Sequence, residues 1–274
     1  MIRLDAKQVV AAREGDRAAL DAIVRSAERP VFNLAMRMLA NRADAEDATQ
    51  EILVKIITHL GSVRDVGSAG FWAFKIACRH LVHERKRGAI EAMQLSFDVF
   101  AADLETGPSS LSDHGLNEVE AAIAVEEVKI GCTLSMLVCL SRELRIAYIL
   151  GEIFEVSATE AADVLGIGSA AYRQRLLRAR SSVTAFVKKS CGLVSETASC
   201  RCQNRVGQAL DIGRIVKGQR DLTPDLPNAT DVRRSVVLLE QGRTSAALMR
   251  SNPDFVSELG QLVMEMVDTR GGRL

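Results

Sequence analysis

Apolar side chains recur at intervals of three and four residues through most of the sequence, and this spacing restricts the fold more than any other feature. Two clear runs are Val31, Leu34, Ala35 and Met38, and Ile52, Leu53, Ile56, Ile57 and Leu60. Residues at this spacing share one face of an α-helix, whereas a strand facing a core alternates at every second residue. No segment shows credible strand alternation, so the pattern predicts an all-α protein.

The length and charge of the chain restrict the class of protein further. A chain of 274 residues suits one to three compact domains. Its charged fraction of 26% and its apolar fraction of 47% disfavour wholesale disorder and a collagen-like repeat. No stretch of eighteen apolar residues and no N-terminal apolar segment is present, so we expect a cytoplasmic protein that does not contact a membrane. The 35 basic residues balance the 35 acidic ones. Zero net charge does not exclude a nucleic-acid partner, because binding depends on a local basic face.

The segment from Asp44 to Glu51 opens a predicted amphipathic helix with an acidic first turn. Carboxylates there complement the positive end of the helix dipole, which is one explanation for them. They also form an acidic docking surface for a basic helix of a partner. A metal or acid/base site is a third explanation, and it ranks last because no histidine lies nearby.

The segment from Phe71 to Arg87 places aromatic residues before a basic helical turn. Aromatic and basic side chains together can stack on unpaired bases and neutralise phosphates. The alternative is that Phe71, Trp72 and Phe74 belong to a core, and that the basic turn at residues 85–87 complements the helix dipole. For Trp72 taken alone, the core is the better interpretation.

A capping box, Ser157 to Glu160, predicts the start of a later helix that ends at Gly166. A second predicted helix covers residues 170–187, so the order is that of a helix-turn-helix. Arginines on the second helix suit guanine and phosphate in a major groove. A solvated basic helix or a protein-binding helix remains the alternative.

Residues 98–127 contain no Lys or Arg, and this composition predicts an acidic, mobile linker.

The six cysteines fall into two groups. Cys78, Cys132 and Cys139 each stand alone in an apolar helical context, which is typical of inert core thiols. Cys191, Cys200 and Cys202 are clustered with the spacing C-x8-C-x-C. This group could supply three ligands to zinc or respond to oxidation, but the paired C-x2-C spacing and a following histidine are missing. Free thiols in a small interface are the alternative.

Together these segments resemble bacterial sigma factors of the extracytoplasmic-function group. The resemblance covers roughly residues 10–190 and is carried by four motifs in order. They are Asp44-Ala45-Glu46-Asp47-Ala48-Thr49-Gln50-Glu51, Phe71-Trp72-Ala73-Phe74-Lys75-Ile76-Ala77, residues 140–150 beginning Leu140-Ser141-Arg142-Glu143-Leu144, and residues 159–167 followed by the arginines of 173–180. Cys78, Arg79 and His83 depart from the common pattern, so the resemblance does not carry a −10 base preference.

The resemblance implies a set of roles. It implies an all-α fold with sigma domain two at residues 5–90, an acidic linker at 91–115, sigma domain four with the helix-turn-helix at 116–189, and a C-terminal extension at 190–274. Core RNA polymerase would bind Asp44, Glu46, Asp47, Gln50 and Glu51. Promoter DNA at the −10 element would contact Trp72, Lys75, Arg79, His83, Arg85, Lys86 and Arg87. Promoter DNA at the −35 element would contact Ser169, Tyr172, Arg173, Gln174, Arg175, Arg178 and Arg180.

The sequence therefore predicts a sigma factor that is not an enzyme and needs no cofactor, with zinc at Cys191, Cys200 and Cys202 left open. An anti-sigma partner is also left open. The alternatives are a free-standing helix-turn-helix regulator and a metal- or thiol-responsive interaction protein. In the extension, helices are predicted around 231–241 and 255–267, and their apolar residues need burial. We expect the extension to fold against the sigma domains.

Overall fold

A computed structural model describes residues 2–83, 89–106, 114–222 and 244–269. The fold of these residues is all-α, as predicted. The isolated bridge between Cys191 and Cys200 is the one extended pairing in the described ranges. None of the helices in these ranges combines the length and the apolar character needed to cross a bilayer.

The helices are numbered in chain order. They are α1 (Ala6–Arg13), α2 (Arg17–Leu39), α3 (Arg42–Thr58), α4 (Ala69–His83), α5 (Ala89–Ala92), α6 (Phe97–Glu105), α7 (Glu118–Val138), α8 (Arg142–Tyr148), α9 (Ala158–Leu165), α10 (Ser169–Ser190), α11 (Val206–Asp211), α12 (Thr244–Arg250) and α13 (Gly260–Thr269). A π-helical turn, Ile149–Ile153, follows α8.

Polar residues determine where several of these helices begin. Asn41 precedes α3, and its side chain accepts a hydrogen bond from the backbone of Asp44 at 2.9 Å. The capping box before α9 is confirmed, because Ser157 and Glu160 each accept a hydrogen bond from the other's backbone N–H. Such bonds satisfy donors that a helix leaves free in its first turn.

The chain divides into two compact units, which do not follow the order of the sequence. Unit 1 combines residues 1–92, 156–172 and 255–274, and unit 2 combines residues 93–155 and 173–254. The division differs from the predicted domain boundaries because α9 and the C-terminal segment both belong to the compact unit formed by the first helices. Some predicted features lie outside the described residues, namely the −10 residues Arg85, Lys86 and Arg87 and the helix around 231–241.

Unit 1 has a core of α2, α3 and α4. Phe32 of α2, Ile52 of α3 and Phe74 of α4 are at most 1% exposed. Helix α9 packs on α4, and α13 packs on α2 and α3. The helices that bear two of the predicted binding surfaces therefore also contact segments from much later in the chain.

The start of the last helix differs from its predicted position. Residues 255–259 are not helical, and α13 begins at Gly260. The backbone of this stretch is bonded to α2 instead, since Leu259 N–H donates to Glu28 Oε1 at 2.5 Å and Phe255 N–H donates to Asn33 Oδ1 at 2.9 Å. The Phe255 carbonyl and Leu259 N–H would bond each other in a helix over these residues, but they are bonded to Asn33 and Glu28 instead.

Unit 2 is organised around α7, α8 and the π-helical turn. Arg145 of α8 is buried, and its guanidinium donates to the carbonyls of Leu137, Val138 and Leu140 at 2.9–3.1 Å. These carbonyls lie at and just beyond the C-terminal end of α7, where a helix lacks partners of its own. Arg145 is therefore a structural residue that joins α8 to α7.

The acidic linker predicted at 91–115, within a stretch expected to be mobile over 98–127, is more ordered than expected where it is described, because it contains α6. Ser96 caps α6, and Phe100 of this helix stacks on Phe186 with ring centroids 5.2 Å apart. Arg205 donates to the carbonyls of Asp103 and Thr106, each at 2.8 Å. Phe186 and Arg205, which make these contacts with the linker, lie outside it, so the composition of the linker alone did not indicate this helix.

Candidate functional site

The acidic turn of α3 presents two carboxylates to solvent. Asp47 and Glu51 are exposed, whereas Asp44, Glu46 and Gln50 are half-buried. Arg42 pairs with Glu46 at 2.9 Å. Gln50 Nε2 donates to Met266 Sδ of α13 at 2.7 Å. The five predicted docking residues therefore form one surface of α3, and the C-terminal segment already contacts its Gln50 side.

Buried polar contacts position α3 against α4. His80 of α4 is buried, and its Nδ1 lies 2.6 Å from Lys55 Nζ of α3. Its Nε2 lies 3.6 Å from a carboxylate oxygen of Glu51. The exposed acidic surface and the helix that follows it are thereby held in a defined relation within unit 1.

Helix α4 carries a mixed aromatic and basic surface. Trp72 and Lys75 are half-buried, whereas Arg79 and His83 are exposed. Their spacing of three and four residues places them along one side of the helix. Trp72 is thus neither a fully buried core residue nor fully open to solvent, which makes it accessible in part to a stacking base.

Helix α9 lies against part of this surface. Lys75 Nζ is 2.9 Å from Asp163 Oδ1, and the guanidinium of Arg79 lies so close to Gly166 that a Cβ there would be 2.8 Å from Arg79 Nη2. Gly166 has a positive φ of 67° at the C-terminal end of α9. A close approach and a left-handed backbone conformation therefore both favour glycine at this position.

Helix α10 brings most of the predicted DNA-contacting residues to the surface. Arg173, Gln174 and Arg178 are exposed, and Ser169 and Arg175 are half-buried. Leu177, which the sequence analysis missed, is 60% exposed one turn after Arg173 and Gln174. An apolar leucine side chain favours burial. The exposed arginines beside Leu177 are the one sequence signal that this residue lies on the surface.

Two residues of the predicted set have other roles in the structure. Tyr172 is fully buried, so its ring packs in the core and is not presented to DNA. Arg180 Nε donates at 3.1 Å to Glu152, a carboxylate that is only 2% exposed. Glu152 lies in the π-helical turn, and a cationic partner offsets the cost of burying its carboxylate. Arg180 is therefore best described as the partner of a buried acid.

The cysteine cluster gains a fourth member from the tertiary structure. Burial raises the pKa of the Cys132 thiol well above its ordinary range, and the nearby thiols of Cys191, Cys202 and Cys200 raise this pKa further. Cys132 belongs to α7 and had been predicted to stand alone. The six cysteines are all free. In the described ranges, no three or more His, Cys, Asp or Glu side chains are arranged to hold a metal ion.

Comparison with known proteins supports the resemblance. Residues 23–89 match the family model of sigma-70 region 2. The RNA polymerase sigma-H factor of Pseudomonas aeruginosa is 27% identical over 186 residues, which cover 65% of this chain and 91% of that protein. The ECF RNA polymerase sigma factor SigW of Bacillus subtilis is 26% identical over 184 residues, covering 67% and 95%. SigE of Mycolicibacterium smegmatis, also named an ECF sigma factor, is 26% identical over 191 residues, covering 67% and 68%.

The region 2 match and the helical fold support a sigma-70-type transcription initiation factor. Two of the similar proteins carry the ECF designation and align over two thirds of this chain. The chain is therefore similar to ECF sigma factors over about two thirds of its length.

Proposed function

We propose that this protein binds core RNA polymerase and directs it to promoters, where it helps to open the −10 element and contacts the −35 element. The main observation is that the region 2 match spans residues 23–89. This range contains both the acidic surface of α3 and the aromatic and basic surface of α4. The protein contributes binding free energy, and the polymerase supplies the catalysis.

The acidic surface of α3 is the proposed docking site for polymerase. Asp47 and Glu51 are exposed. Within the described ranges Asp47 forms no ion pair, and the one basic group near Glu51 is His80 Nε2 at 3.6 Å. Exposed charges of one sign attract an oppositely charged partner and orient its approach. A basic helical surface on the polymerase is the partner that this chemistry favours.

The surface of α4 is the proposed −10 contact. An unpaired strand requires stacking surfaces for its bases and cations for its phosphates. Trp72 supplies a partly accessible ring, and Arg79 supplies an exposed cation on the same side of the helix. Lys75 supplies a second cation when it leaves Asp163. Arg85, Lys86 and Arg87 remain predicted contributors that lie outside the described residues.

The first turns of α10 are the proposed −35 contact. Residues near the N-terminus of a recognition helix contact base edges in the major groove. Arg173 and Arg178 can bind guanine or phosphate, Gln174 can bind adenine, and exposed Leu177 suits a thymine methyl group. Ser169 and Arg175 complete the proposed set, from which Tyr172 and Arg180 are removed.

The two alternatives account for fewer features. A free-standing helix-turn-helix regulator uses α9 and α10 but needs neither the acidic surface of α3 nor the surface of α4. A thiol-responsive protein uses the four cysteines, and zinc or redox chemistry at Cys191, Cys200 and Cys202 remains a hypothesis that metal analysis of the purified protein tests. An anti-sigma partner and a cytoplasmic location are proposed from the family relationship.

Run-off transcription on a promoter library tests the proposed function. Core polymerase is assayed with and without the protein, and we expect initiation at a defined subset of promoters only when the protein is present. Strand opening is followed by permanganate reactivity of unpaired thymines. DNA binding without polymerase-dependent opening would support the free-standing regulator instead.

A further inference from the structure

The C-terminal segment from Phe255 to Thr269, which we term the strap, is bound along α2 and α3 through specific contacts. Phe255 is 1% exposed, Val263 is fully buried and Met264 is 4% exposed. Arg17 at the start of α2 donates from Nε to Asp268 Oδ1 at 3.1 Å. The strap is therefore anchored near both of its ends.

Helix α2 carries buried polar groups that match the backbone of the strap. Asn33 is 5% exposed, donates from Nδ2 to the carbonyl of Phe255 at 2.8 Å and accepts from its N–H at 2.9 Å. Glu28 is 9% exposed and accepts from Ser257 Oγ at 2.7 Å. Buried amides and carboxylates are costly unless they are paired. This surface of α2 is therefore suited to an extended peptide and is not an ordinary helix-packing face.

The strap also reaches the acidic surface of α3. Arg42 donates to the carbonyl of Val256 at 3.0 Å, and Gln50 donates to Met266 Sδ at 2.7 Å. Arg42, Glu46 and Gln50 are four residues apart and share one side of the helix. Asp47 and Glu51 are their immediate neighbours. The strap thus occupies one border of the surface proposed to bind polymerase.

We propose that the strap is an intramolecular competitor of core RNA polymerase, so that polymerase binds α3 fully only after the strap leaves α2 and α3. The inference rests on the proposed function, because it requires α3 to be the docking helix. For a partner that binds only the open form, the apparent affinity equals the affinity for that form multiplied by the fraction of molecules that are open. If about a fifth or less of the molecules are open, releasing the strap strengthens polymerase binding about fivefold or more.

Two adjacent strap residues provide a matched test in the full-length protein. Val263→Asp places a charge in the buried contact, whereas Leu262→Asp places the same charge at a position that is 45% exposed. We expect Val263→Asp to bind core polymerase about fivefold or more tightly and Leu262→Asp to bind like the unaltered protein. Affinity is measured by fluorescence titration, and folding is checked by circular dichroism.

A second variant covers the case in which Val263→Asp fails to fold. A Cβ at Gly260 would lie 2.8 Å from Glu28 Oε2. Gly260→Leu should therefore displace the strap without changing α2 or α3, and we expect the same gain in affinity. Hydrogen exchange at the amides of Phe255 and Leu259 reports strap release independently of polymerase.

A peptide added in trans completes the experiment. A synthetic peptide of residues 255–269 should weaken polymerase binding by a released variant, and the same peptide carrying Val263→Asp should not. Equal affinity of the unaltered protein and a folded, released variant overturns the proposal while leaving the sigma function in place. Absence of measurable binding by every form overturns the proposed function itself and the strap proposal with it.

Discussion

Arg173 and Arg180 show how two arginines of one helix acquire different roles. Arg173 is exposed on α10, whereas Arg180 pairs with Glu152, which is buried. We expect Arg173→Ala to weaken −35-dependent initiation by about 1–3 kcal/mol, as for loss of a bidentate base contact. We expect Arg180→Ala to lower the free energy of unfolding by about 1–3 kcal/mol, since a buried acceptor loses its partner.

Promoter-specific transcription and urea unfolding of both variants measure these effects. An equal loss of Arg173→Ala activity on all promoters would indicate phosphate contact alone. Unchanged stability of Arg180→Ala would show that Glu152 does not depend on the pair.

Buried thiols predict a decline of stability at high pH. Burial raises the pKa of Cys202 to about 12, from an ordinary value near 9. A group whose pKa is raised by folding contributes stability that is fully present below pH 9 and is lost as the pH rises toward 12. Unfolding free energies across this range should fall less steeply for Cys202→Ala than for the unaltered protein. Identical slopes would show that this thiol does not titrate in the folded state as proposed.

At the scale of the element, the turn after α9 depends on one glycine. Gly166 has a positive φ of 67°, and a Cβ there would crowd Arg79, whereas Gly168 has no atom within 4 Å of such a Cβ. We expect Gly166→Ala to lower the unfolding free energy by about 1–2 kcal/mol and Gly168→Ala to have little effect. Urea denaturation of the two variants decides the matter, and equal stability would contradict the argument.

At the scale of the whole molecule, the acidic surface of α3 should control association with polymerase. Reversing Asp47 and Glu51 to Arg keeps the apolar core of unit 1 because both side chains are exposed, although it also removes the contact of Glu51 with His80. We expect weaker polymerase binding, and a salt dependence smaller than that of the unaltered protein. Reversing Glu105 and Glu196, which are exposed in unit 2, changes the net charge equally and serves as the control. An equal loss in both double variants would indicate a net-charge effect and no specific docking.

The sequence by itself determined the helical class, the capping box before α9 and the order of the sigma motifs. These features are local, since spacings of three and four residues and a Ser-x-x-Glu pair depend only on neighbours along one helix. The charge of α3 and the arginines of α10 could be read for the same reason. Most of the proposed DNA- and polymerase-contacting residues follow directly from them.

Only the tertiary structure decided which of these side chains are free to act. Tyr172 and Arg180 share a helix with exposed residues. The burial of Tyr172 and the pairing of Arg180 with buried Glu152 depend on segments distant in the sequence. Cys132 joins Cys191, Cys200 and Cys202 because of how α7 packs, and its 59-residue separation from Cys191 carries no local signal. The strap binds α2 in part through the hydrogen bond from Asn33 to the carbonyl of Phe255, which lies 222 residues further along the chain. Such contacts depend on the shapes and unpaired polar groups of both partners, which spacing along one chain segment does not encode.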